Sequence, residues 1–171
     1  MTKADPESII RVDHAGEYGA ARIYAGQLAV MGQRSAISAE VERMAAQEQH
    51  HLERFEELIR ARGVRPTALM PIWKHAGFAL GAVSALIGPQ AAMAVTAAIE
   101  TEIDNHYQAQ RDALGASDPE LSDTIAVFQA EEQEHRDLAI DHGAKEAPGW
   151  PLLSLAVRAG CRAAIRLSER I

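Results

Sequence analysis

The chain has 171 residues, of which 47% are hydrophobic, 5% aromatic and 33 alanine, with a formal net charge of -7. That length suits one domain able to bury a core without staples, and a lone cysteine, Cys161, excludes a disulfide framework. The acidic balance argues against nucleic-acid binding by phosphate neutralisation, ordinary apolar content argues against disorder, and abundant alanine favours helix over strand.

The opening MTKADPES carries neither a charged-then-apolar signal nor an Arg/Ser-rich transit pattern, so residence in the cytosol is expected. Asp5-Pro6-Glu7 supplies an N-cap, a proline at the first helical position and an acid in the first turn. A helix is predicted from there to about Gly32. Ser35 or Ser38 is expected to cap a second helix that ends at Gly63, with Arg60 and Arg62 in its last turn. Pro66 and Pro71 then break the chain before a short apolar helix over about 72–87. Gly88-Pro89 opens the next helix, which ends at Gly115. Ser117-Asp118-Pro119-Glu120 repeats the start signal for a helix that fades near Gly143. Pro148-Gly149-Trp150-Pro151 precedes a final helix. No stretch shows the period-two alternation of a half-buried strand, so the fold class is all-α.

Residues 75–99 contain no Asp, Glu, Lys or Arg, a run long enough to cross a bilayer. Gly88-Pro89 splits that run into two pieces too short to span separately. A buried or interfacial hairpin is therefore expected there.

Glu-x-x-His occurs twice, at Glu48–His51 and at Glu132–His135. Three residues apart on a helix is one face, so each motif points a carboxylate and an imidazole the same way. Each motif alone is close to what composition supplies; the spacing is what makes them informative. Glu17 stands 31 residues before Glu48, and Glu100 stands 32 before Glu132. Glu17, Tyr24 and Gln27 match Glu100, Tyr107 and Gln110 at an offset of 83, and Glu48, Gln49 and His51 match Glu132, Gln133 and His135 at 84. Two helical hairpins related by duplication, about 5–63 and 89–145, are predicted.

Four carboxylates and two imidazoles on four helices are the donor set of di-iron and di-manganese helix bundles. Hard oxygen donors with one nitrogen per ion suit iron or manganese better than a thiolate-loving metal. Glu48 and Glu132 are expected to bridge two ions, with Glu17 and Glu100 terminal. Four acids converging in a core without metal would repel one another severely.

Tyr24 and Tyr107 lie two turns beyond Glu17 and Glu100, where they could bond a substrate, carry a redox role or fill the core. His106 could bind substrate, pass protons or be a plain helix histidine. Asp13, one turn before Glu17, could orient a ligand histidine or sit in solvent. His14, His50, His75 and His142 match no ligand position in the repeat. Glu102 and Glu134 are read as surface or outer groups, and Cys161 as a packing residue. In the last helix Arg158, Arg162, Arg166 and Arg170 recur every four residues, opposite Leu155, Val157 and Ile165. Residues 149–171 carry +3 and the rest -10. Such a helix could lie on an anionic membrane or dock on the bundle with its arginines snorkelling.

The segments RVDHAGEYGAARIYAGQ, QEQHHLERF, RPTALMPIWKHAGFALGA, ETEIDNHYQAQ, EEQEHRDLAIDH and AGCRAAIRLSERI together resemble the demethoxyubiquinone hydroxylases over nearly the whole chain. The resemblance implies a ferritin-like di-iron monooxygenase, peripheral to the cytoplasmic face of the cell membrane, that uses O2 to hydroxylate the ring of a 5-demethoxy polyprenyl benzoquinol. It implies two Fe ions held by Glu17, Glu48, His51, Glu100, Glu132 and His135, the set the repeat marks. It also places His106 and Tyr107 near the quinone and the electron path. The electron supply it implies is NADH directly or a reductase; no Rossmann-type glycine fingerprint is present. A homo-oligomer or a ubiquinone-synthesis complex belongs to the partners it allows. A ferritin-like iron-storage or ferroxidase protein is the competing expectation, with the same ligands but no use for the apolar hairpin or the arginine stripe.

Overall fold

The computed structural model describes residues 5–171; the leader expectation therefore rests partly on residues 1–4, outside the described residues. Among the described residues six α-helices follow one another: α1 (Pro6–Met31), α2 (Ser38–Arg62), α3 (Met70–Ile87), α4 (Pro89–Leu114), α5 (Pro119–Asp141) and α6 (Trp150–Ser168). No strand occurs among the described residues, as the composition requires. Short 3-10 turns at Gly32–Arg34 and Ala144–Glu146 complete the connections.

The helix starts follow local chemistry. Asp5 accepts from the Glu7 amide at 3.2 Å and Asp118 from the Leu121 amide at 3.2 Å, each with proline in the first turn. Gly63 closes α2 in the left-handed region at φ 65°, where a side chain would be strained. The start of α2 departs from expectation. Its N-cap is Ile37 without a side-chain bond, because the Ser38 hydroxyl turns back to donate to the Gly32 carbonyl at 2.5 Å. The serine ties the helix to the preceding turn instead of capping it.

Helices α1, α2, α4 and α5 form the bundle, with α1 on α2 and α4 on α5 as hairpins. Side chains join α1 antiparallel to α4 and α2 antiparallel to α5: Tyr24 meets Glu100, and Arg62 meets Asp118 and Glu120. Two apolar clusters fill the bundle ends. Phe55, Leu58, Leu121, Ile125 and Phe128 fill one end, while Met31, Val41, Met44, Met93 and Ala97 fill the other. Each large side chain so buried contributes about 1.5–3 kcal/mol.

Helix α3 lies along α1 so closely that backbones touch. A Cβ on Gly81 would run into the Ile23 carbonyl, and one on Gly26 into the Phe78 carbonyl. Only Gly77, Gly81, Ser84 and Ala85 of α3 are buried, while Ile72, Val83, Leu86 and Ile87 face outwards, Leu86 at 72% exposure. Of the expected buried or interfacial hairpin, the α4 half (91–99) is buried, while α3 packs its small residues inwards and leaves Ile72, Val83, Leu86 and Ile87 outside. No described helix is long and apolar enough to cross a membrane.

Helix α6 lies against α4 on the same flank of the bundle as α3, with a cavity between them. Trp73 of α3 donates to Ser168 of α6 at 3.2 Å, and the Ala68 amide donates to the Ile171 carbonyl at 3.2 Å.

Candidate metal centre

Between the two apolar clusters the bundle holds six buried charged or titratable side chains. Glu17, Glu48, His51 and Glu132 offer donor atoms within 4.8 Å of one another, and so do Glu48, Glu100, Glu132 and His135. Glu48 and Glu132 belong to both groups, so each could serve two ions. Each is at most 1% exposed. All six residues singled out by the repeat are brought together, whereas His14, His50, His75 and His142 join neither group.

Helical spacing explains the local geometry. Glu132 and His135, one turn apart on α5, lie with Oε2 and Nδ1 3.1 Å apart. His51 Nδ1 is 3.0 Å from Glu132 Oε1 and 3.4 Å from Glu17 Oε2. His135 Nδ1 is 3.2 Å from Glu48 Oε1. Both imidazoles therefore turn Nδ1 towards the carboxylates and Nε2 away.

The electrostatics are severe. Burial, followed by the charge of Glu132, drives the carboxyl groups of Glu48 and Glu100 well above their usual range. Glu132 goes the other way: burial opposes its charge, but His135 and His51 overcome this and hold it at about 2. For His51 burial likewise opposes charge, and Glu132 and Glu17 overcome it and push the imidazole to about 11. Glu17 Oε2, both Glu48 oxygens, His51 Nδ1, Glu100 Oε2 and Glu132 Oε1 have no hydrogen-bond partner despite complete burial. Orphaned donor atoms of this number are costly as pure structure. Two divalent ions would neutralise four carboxylates and satisfy these atoms, so the residues fit a pair of hard metal ions.

Around this cluster the hydrogen bonds cross between hairpins. Tyr24 donates to Glu100 at 2.9 Å, and Tyr107 donates to Glu17. Gln27 donates to Thr96 at 3.3 Å, and Gln110 donates to Asp13 at 2.7 Å. Burial, then the facing acids, raises both tyrosines well above the usual phenol range, so both keep their protons.

Asp13 is buried rather than solvated, and it bonds Gln110 rather than a ligand histidine. Gln110 Nε2 also lies 2.8 Å from His106 Nε2. Burial holds His106 down at about 4, so its Nε2 accepts from the amide and its proton rests on Nδ1. The groups that do meet the outer ring nitrogens are Glu131, 2.5 Å from His51 Nε2, and Gln47, 3.0 Å from His135 Nε2. Sequence reading missed both. Their signal was present, since they too match at an offset of 84.

A cavity of about 520 Å³ opens beside the cluster, between α1, α3, α4 and α6. Ile23, Ile99, Ile103, Leu153 and Val157 make its walls apolar, and Asp13, Glu17, His106 and Tyr107 bring polar atoms to it. Cys161 lines it too, with burial pushing the thiol up to about 12, so it is an inert part of the wall. The cavity reaches Glu17 but not Glu100.

Glu102, expected as a surface or outer group, is buried, which excludes the surface reading. Arg158 meets it at 2.5 Å and Arg162 at 2.7 Å. Half of the arginine stripe therefore clamps α6 to α4, while Arg166 and Arg170 are exposed. Leu155 faces outwards instead of inwards with Val157 and Ile165.

The family model described as ubiquinone biosynthesis protein COQ7 matches residues 4–168. The chain belongs to this family. The mitochondrial NADPH-dependent 3-demethoxyubiquinone 3-hydroxylase of Mus musculus is 52% identical over 174 residues, covering 99% of this chain and 80% of that protein. The 3-demethoxyubiquinol 3-hydroxylase of Rhodospirillum rubrum is 52% identical over 165 residues, 96% of this chain and 78% of its own. The mitochondrial 5-demethoxyubiquinone hydroxylase of Saccharomyces cerevisiae is 40% identical over 181 residues, with 96% and 78% covered. Membership favours the hydroxylase expectation over iron storage.

Proposed function

We propose that this COQ7-family chain hydroxylates the ring of a demethoxyubiquinol in ubiquinone biosynthesis, with two iron ions held in the bundle. The observation that carries the reading is the apolar cavity that ends on Glu17 and Tyr107, at the edge of the carboxylate–imidazole cluster. Glu17, Glu48, His51, Glu100, Glu132 and His135 are the metal ligands. When reduced, such an iron pair supplies oxygen activation. The balanced reaction takes the ring C–H, O2, two electrons and two protons to a ring C–OH and water. The electrons come from a reduced nicotinamide dinucleotide, in line with the NADPH named for several relatives.

The protein's own groups hold and screen the substrate. The apolar walls exclude water from the ring, and the Asp13–Gln110–His106 chain fixes a neutral imidazole at the cavity. Tyr107 holds Glu17 in place beside it, while Tyr24 does the same for Glu100 on the side away from substrate. The polyprenyl tail leaves between α3 and α6, whose outward Leu86, Ile87, Leu152 and Leu155 meet the cytoplasmic face of the membrane. The two hairpins, about 5–63 and 89–145, descend from one duplicated unit; the crossed bonds of Tyr24 and Tyr107 support that reading.

The test is iron analysis of the purified chain together with product mass after reaction under isotopically labelled O2. Two irons per chain and one labelled oxygen atom in the ring are expected. Full hydroxylation by Glu48→Ala would remove the ligand assignment, and an unlabelled product would remove the reaction.

A further inference from the structure

The two histidines of the metal centre face the carboxylates alike, but they are backed by different groups. Behind His51, Nε2 meets the carboxylate of Glu131 at 2.5 Å, and the ring stacks on Phe128 with centroids 3.9 Å apart. Behind His135, Nε2 meets the amide oxygen of Gln47 at 3.0 Å. That same oxygen accepts from the Arg43 guanidinium at 2.9 Å. One imidazole donates its outer proton to an anion, the other to a neutral carbonyl already polarised by a cation. The pairing crosses the bundle: Glu131 lies one turn before His135 yet serves His51, and Gln47 lies one turn before His51 yet serves His135.

A ring whose outer N–H is bonded to a carboxylate is a stronger donor through its other nitrogen, because negative charge is shared into the ring. A ring bonded to an amide gains much less. We propose that Glu131 and Gln47 make the two metal positions unequal, so that the position served by His51 takes a divalent ion first and holds it more tightly. The inference rests on the two-metal reading above and concerns two residues that touch no ion, so they are positioning and tuning groups. The consequence for a redox pair is directional. The His51 position favours the higher oxidation state and the His135 position the lower one, since the more electron-rich ligand stabilises the more charged ion.

Cobalt(II) titration of the metal-free full chain by calorimetry tests this, with melting of each metal-free variant as a control for folding. The native chain is expected to bind two ions in two separable steps. Glu131→Gln weakens the tighter step about 10–100-fold and leaves the weaker step within a few-fold. Gln47→Glu strengthens the weaker step, and it decides the matter alone should Glu131→Gln fail to fold. Glu134→Gln removes an exposed acid from the same helix and leaves both steps unchanged, which separates the bonded effect from bulk charge. Equal affinities in the native chain, or steps unmoved by Glu131→Gln and Gln47→Glu, overturn the inference while leaving the two-metal reading standing. Fewer than two ions per chain overturns both.

Discussion

The Glu17 and Glu100 sides of the cluster are built from matching residues and differ in what stands behind them. Each has a tyrosine from the opposite hairpin and a glutamine one turn further out. On the Glu100 side Gln27 meets Thr96 and the Ala92 carbonyl, and Ala91–Ala98 leave no room. On the Glu17 side the residue at the Thr96 position is Asp13, Gln110 relays to His106, and a cavity opens. The same framework thus yields one close-packed flank and one flank that opens to a cavity. A few substitutions against a symmetric background suffice, because the bundle already brings the six carboxylate and imidazole side chains together.

The largest expected effect breaks both sides together. Glu48→Ala or Glu132→Ala removes a carboxylate shared by both groups, so bound iron falls below one per chain and hydroxylation falls to background, as read by metal analysis and product mass. A pair of bulky substitutions then tests the contrast directly. Ala164→Phe, in the α6 wall of the cavity, is expected to cut hydroxylation at least about 10-fold while iron content and melting temperature hold. Ala97→Phe on the close-packed flank has nowhere to go: overpacking costs roughly 1–3 kcal/mol, about 2–12 °C in melting. Were both variants to lose only stability, the cavity would not be the substrate site.

A pH series sharpens the electrostatic half of the comparison. Glu48 and Glu100 have raised values in the metal-free protein, so their protonated forms stabilise the fold at low pH. That stability is lost as pH rises through the raised values. Metal must also displace a proton from His51, held at about 11. Both effects have one sign: the melting gain on adding manganese(II) grows from pH 6 to pH 8. A gain that shrinks over this range would refute the assigned protonation. The smallest effect lies far from either flank. Arg54→Ala, which breaks surface pairs with Glu57 and Glu120, is expected to cost under about 1 kcal/mol and leave activity unchanged.

Much of the fold was legible because helix signals are local. Asp5-Pro6 and Asp118-Pro119 start helices wherever they stand, Gly63 stops one, and Glu-x-x-His shares a face by the pitch of the helix alone. The convergence of six carboxylate and imidazole residues was legible for the same reason, once the 83- and 84-residue offsets tied the motifs together. Asp13 and Glu102 were not, since their partners lie 97 and 56 residues away and depend on which helices become neighbours.

By itself, then, the sequence determined the six helices, the faces they present and the six residues that converge. Tertiary structure decided what converges with them: Glu131 and Gln47 behind the imidazoles, the Arg158–Glu102–Arg162 clamp, and a cavity on the Glu17 flank. The physical reason is that helical period is a property of consecutive residues, whereas contact across a bundle depends on the antiparallel register and closeness of separate helices. That register joins each hairpin's histidine to the other hairpin's side chain, and no local pattern records it.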